Sequence, residues 1–169
     1  MYKNKILPIL AFSLSSFSLM AADQVSSYAK KSGYSSCLTA VSDIENFFAK
    51  DSNYGSWAFV AKEGTDDQIV NATLELTHND GSTLVDFTIA PTKDGSCSYT
   101  YTRTFFTEKS CMATTKEEYM KNSKYKTEIN KNITGFEDPN GAKLLLMTAG
   151  TGCIVQKKEV GFRHNKQGL

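Results

Sequence analysis

The 169-residue chain contains one Trp, two His and three Pro. Neither His78 nor His164 lies in a nucleophile or metal motif, and GxSxG, HExxH and P-loop patterns are absent. The sequence signatures of common hydrolases, zinc proteases and nucleotide-binding enzymes are therefore missing. No CxxC pair occurs either. Cys37, Cys97, Cys111 and Cys153 are separated by 60, 14 and 42 positions, unlike the ligands of a zinc site, and no metal or other cofactor is expected. Beyond residue 22 no apolar run reaches the roughly 20 residues that a membrane helix needs. Only 11 Gly are present, with no internal repeat and no low-complexity block, which excludes collagen-like and disordered classes. What remains, 40% hydrophobic and 22% charged, has the balance of a globular domain.

The N-terminus reads as an address. Lys3 and Lys5 precede an apolar stretch over residues 6–20, diluted by four serines and closed by Ala21 and Ala22. Positive, apolar and small residues in that order make a secretory signal, with cleavage expected near Ala22. Residues 1–22 are assigned to it, and 23–169 to one α+β domain with a loose tail from Phe162. Loss of Lys3 and Lys5 turns the formal charge from +1 to −1. All four cysteines lie in the remaining 147 residues, and an even number in an exported chain implies two disulfides. The expected localisation is the periplasm of a Gram-negative cell, or secretion from another source.

Apolar residues recur at helical spacing through Cys37, Leu38, Val41, Ile44, Phe47 and Phe48, with Ser36 at the N-cap position and residues 51–55 as a stop. Residues 24–35 are read as a partial extension of that helix. Four strands follow. In 56–63 Trp57, Phe59 and Ala61 alternate, in 68–78 Val70, Ala72, Leu74 and Leu76, and in 83–90 Val85, Phe87 and Ile89; 97–107 is a long fourth strand. A capping-box match at Thr114 or Thr115 with Glu117 or Glu118 predicts a short helix ending by residue 122. Residues 123–141 read as a surface loop, and 143–148 and 153–160 as two more strands. The fold expected is α+β: an N-terminal helix packed on one face of a mostly antiparallel β-sheet meander, the other face being wet.

Strand length also constrains the disulfides. An extended strand over 97–107 spans about 33 Å, and the four steps onward to Cys111 return about 14 Å at most. About 19 Å then separates Cys97 from Cys111, where a disulfide tolerates roughly 7 Å between Cα atoms. In a meander the start of the helix and the start of the fourth strand share one end of the sheet. The pairing expected is Cys37 with Cys97 and Cys111 with Cys153.

Ten acids face three lysines between Asp43 and Asp94, whereas five basic residues outweigh Glu159 from Lys143 onward. Such asymmetry steers charged partners. Nucleic acid is disfavoured, because the basic C-terminal stretch lacks interleaved stacking aromatics. On the wet strand faces, alternation brings Thr73, Glu75, Asp86, Thr88, Thr100 and Thr102 together, with Leu84 and Phe106 as apolar members. A Thr-rich face is also the ordinary composition of a solvated sheet, so the two carboxylates carry the assignment of these six as partner-binding residues. No catalytic set is found. Glu117 and Glu118 diverge by about 100° on a helix, Glu137 and Asp138 lie on the polar loop, and His78 and Thr151 belong to turns. The expectation is a small exported protein-binding module, such as an inhibitor or immunity protein acting on an envelope-directed enzyme, with a basic protein partner in the cell envelope. Two other classes compete: a carrier holding an apolar or small ligand between helix and sheet with Trp57, Phe59, Tyr99 and Tyr101, and a hydrolase with an unrecognised site.

Overall fold

A computed structural model describes residues 23–50 and 52–163; the signal sequence read in 1–22 and the tail after Arg163 lie outside the described residues. Val25 and Ala29, one helical turn apart, are fully buried and give residues 24–31 a helix of their own, α1 (Gln24–Lys31). The second helix, α2 (Leu38–Ala49), buries Ala40, Val41, Glu45 and Ala49. Its N-cap is Cys37, not Ser36, and no side chain caps it. Asp66 instead accepts hydrogen bonds from the backbone amides of Ser35 and Ser36, which pull its carboxyl below the usual range.

Eight strands follow: β1 (Asn53–Val60), β2 (Val70–His78), β3 (Gly81–Pro91), β4 (Cys97–Thr107), β5 (Lys124–Asn130), β6 (Ile133–Glu137), β7 (Lys143–Ala149) and β8 (Gly152–Arg163). They form one antiparallel sheet in the order β1-β2-β3-β4-β8-β7-β6-β5. Two four-stranded meanders are thus joined where β4 pairs with β8, from Cys97 opposite Arg163 to Thr107 opposite Cys153. Helices pack on one face, as expected. Under α1 and α2 the core is built from Val70, Leu74, Val85, Phe87 and Ile89. The second half is covered by α3 (Cys111–Thr114) and a 3-10 turn (Glu118–Met120), with Met120, Leu144, Leu146 and Val155 in its core. Each core holds one disulfide. The pairs are Cys37–Cys97 and Cys111–Cys153, with Cα separations of 5.9 and 4.9 Å. Among the described residues no helix is long and apolar enough to cross a membrane.

Four local expectations are corrected. The strand placed at 56–63 runs from Asn53 to Val60, and its inward side chains are Tyr54, Ser56, Ala58 and Val60. Pairing with β2 decides this, because Ala58 faces buried Ala72 while Trp57 faces Thr73. The loop expected over 123–141 is a hairpin, β5 with β6, whose Tyr125 and Phe136 rings pack edge to face with centroids 6.0 Å apart. Instead of the capping box, Ser110 Oγ caps α3 by accepting from Ala113 N at 3.3 Å. Finally, Phe162 and Arg163 belong to β8 and not to a tail.

Tyr34 and Tyr54 are buried in the first core, and burial pushes both phenols up to about 12. An unfolded tyrosine ionises near 10. The folded-state value is the higher one, so the stability these phenols contribute is fully present below about pH 10 and is lost as pH rises through about 12. A spectrophotometric titration should show these two phenols ionising late, together with loss of structure. Ionisation of every tyrosine near pH 10 in a still-folded protein would contradict the burial.

Candidate functional site

The face of the sheet opposite the helices is uncovered among the described residues, and strand register fixes what lies on it. One row across the sheet reads Trp57, Thr73, Asp86, Thr102, Lys158, Lys143, Glu137 and Lys124. A second holds Phe59, Asn71, Thr88, Thr100 and Val160, and a third Gly55, Glu75, Leu84, Thr104 and Gln156. All six sequence-predicted residues, Thr73, Glu75, Asp86, Thr88, Thr100 and Thr102, therefore share this face.

Their side chains are tied to one another. Asp86 is half-buried and accepts from Thr73 Oγ1 at 2.8 Å and from Asn71 Nδ2 at 3.2 Å, while Asn71 also donates to Thr88 Oγ1 at 3.0 Å. Ser82 donates to Glu75 at 2.9 Å, and Thr100 donates to the Glu159 carbonyl at 3.0 Å. A hydrogen-bonded floor of this kind holds its rotamers before any partner arrives. Along its β1 edge stand Trp57 and Phe59, 71% and 51% exposed, with ring centroids 5.2 Å apart.

The face is also electrically polarised. Glu75 and Asp86 lie on β2 and β3, and Lys158, Lys143 and Lys124 on the far half. There Glu137 is ion-paired with Lys143 and with Lys126, and the two ammonium groups hold its carboxyl below the usual range. The acidity of the 43–94 segment does not collect into one patch. Glu45 is buried, Asp66 accepts from the backbone amides of Ser35 and Ser36, and Asp94 accepts from Ser96 N within its own turn, whereas strand register places Glu75 and Asp86 on the face.

Sequence reasoning missed Trp57, Phe59, Asn71 and Lys158. It placed the two aromatics inside because β1 carries apolar residues on both faces. The usable signal was the register with β2, which puts Trp57 beside Thr73. The set proposed for a carrier is split, since Trp57 and Phe59 point away from Tyr99 and Tyr101, which pack toward the helices. His78 sits at the β2–β3 turn opposite Gly81, on a different part of the sheet from ion-paired Glu137. Comparison with family models, with curated proteins and with solved structures gives no match for this chain.

Proposed function

We propose that this protein is a small exported binding module that acts by holding another protein of the cell envelope against the open face of its sheet, as an inhibitor or immunity protein does. The observation that carries this reading is the face itself. Seven interstrand gaps of about 4.8 Å and strands of about eight residues at about 3.3 Å each give a surface of roughly 34 by 26 Å, or about 900 Å². A standard protein interface takes about 800 Å² from each partner. The fixed Asp86 network lowers the ordering cost of association, and Trp57 with Phe59 supplies the aromatic anchors in which interface energy concentrates. A partner that meets Glu75 and Asp86 with basic groups is steered to that half of the face.

In this reading the protein has no turnover of its own and acts after export. The two disulfides fit an oxidising compartment. The test is capture from envelope extracts with matched variants. Trp57→Ala should weaken retention of a stoichiometric partner by about thirtyfold, and Glu75→Lys with Asp86→Lys should weaken it further and abolish its salt dependence. Glu117→Lys with Glu118→Lys, away from the face, should leave it unchanged. Folding of each variant is confirmed first by circular dichroism. A partner retained equally by all of them would overturn the assigned surface.

A further inference from the structure

A cleft of about 400 Å³ opens on the helix-bearing side, between α2 and strands β4 and β8. None of the six partner-binding residues lines it. Small-molecule sites occupy roughly 300–1,000 Å³, and this one is walled mainly by aromatic rings. Tyr99 and Tyr101 on β4 form its floor, Tyr99 lying over Gly161, where a Cβ would collide with the phenol oxygen. Phe48 stands edge-on to Tyr101 and to Phe47, with centroids 4.9 Å apart in both pairs. Phe47 flanks the mouth with 74% of its surface in water.

The charge inside is negative on balance. Asp43 on α2 is ion-paired with Arg163 at the end of β8, so these two cancel. Glu159 accepts a hydrogen bond from the Tyr101 hydroxyl and takes part in no ion pair among the described residues. An anion entering the cleft would meet this carboxylate, and a neutral apolar molecule would desolvate it without pairing it. A cation does neither. Its charge is attracted by the faces of the surrounding rings and by the carboxylate at once.

We propose that the cleft binds a small organic cation of the alkylated-ammonium class, with Glu159 as counter-charge and Phe47, Tyr99 and Tyr101 as walls. The site lies on the opposite side of the sheet from the partner surface and stands or falls apart from it.

The experiment titrates the purified, disulfide-bonded protein with choline and, separately, with 3,3-dimethylbutan-1-ol, which has the same shape and no charge, followed by amide chemical shifts. Choline should give saturable shifts at Phe47, Tyr101, Glu159 and Gly161, and the alcohol none over the same range. Glu159→Gln, which keeps an acceptor for Tyr101, should weaken choline by about tenfold or more, and Phe47→Ala, at an exposed ring, by about threefold. Equal response to both probes, choline affinity unchanged in Glu159→Gln, or no saturable shift with choline would each overturn the proposal.

Discussion

Reduction of both disulfides is expected to unfold the protein or leave it at the margin of stability. Cys37–Cys97 closes a loop with a sequence separation of 60, and Cys111–Cys153 one of 42. Chain-entropy arithmetic assigns about 4 kcal/mol to each. The two loops follow one another along the chain without overlapping, so their closure terms add, to about 8 kcal/mol at most. A domain of this size has about 5–15 kcal/mol in total. The bonds also sit where packing needs them. Cys37 and Cys97 are buried at the junction of α2 with β4, and Cys153 is buried where α3 meets β8. Urea unfolding with and without reductant reads the effect directly. Cys37→Ala with Cys97→Ala, and separately Cys111→Ala with Cys153→Ala, should each lose about 2–4 kcal/mol. A reduced protein within about 1 kcal/mol of the oxidised one would show that the cores alone hold the sheet. For the proposed function this means that the open face acquires its fixed form only under oxidising conditions.

The disulfide pairing was legible because strand length excludes Cys97 with Cys111 and the meander brings the start of the helix and the start of the fourth strand to one end of the sheet. The central strands were legible too, since β2 and β3 alternate cleanly between buried Val70, Ala72, Leu74, Val85, Phe87 and Ile89 and polar neighbours. Edge strand β5 was not. All seven of its residues are exposed, so no hydrophobic period marks it, and the sequence Lys124–Asn130 reads as a polar loop until its pairing with β6 is known. The six polar residues of the candidate site were recoverable because a face is defined by alternation. Its aromatic edge was not recoverable from β1 taken alone. Charge summed along the chain misled in a different way, because whether an acid reaches the surface depends on its hydrogen-bond partners. Glu45 shows this most clearly.

Replacing Glu45 by Ala is expected to cost about 3–5 kcal/mol. The residue is 1% exposed, and its carboxylate lies at the N-terminus of α1. Oε1 accepts from Val25 N at 2.7 Å and from the Tyr54 hydroxyl at 2.9 Å, and Oε2 accepts from Ser26 N at 3.0 Å. Tyr54 Oη in turn accepts from Gln24 N at 3.3 Å. The opening amides of a helix have no partner within it, and the residue at the cap position, Asp23, makes no side-chain cap. A carboxylate from α2 therefore does the capping of α1 and favours the positive end of its dipole. In Glu45→Ala three buried donors lose their acceptor, at about 1–3 kcal/mol each before relaxation. Glu45→Gln keeps one acceptor but turns an NH2 toward donors, and should cost about 2–3 kcal/mol. Tyr54→Phe removes one link and should cost about 1 kcal/mol. Urea unfolding should reproduce that order, and hydrogen exchange at Val25 and Ser26 should accelerate in Glu45→Ala more than exchange in β3. A loss below about 1 kcal/mol for Glu45→Ala would mean that α1 is held by Val25, Ala29 and Tyr34 packing alone. Because α1 packs on the inner side of β1, loosening this cap should also loosen the strand that presents Trp57 and Phe59, and partner binding should weaken although Glu45 never reaches the open face.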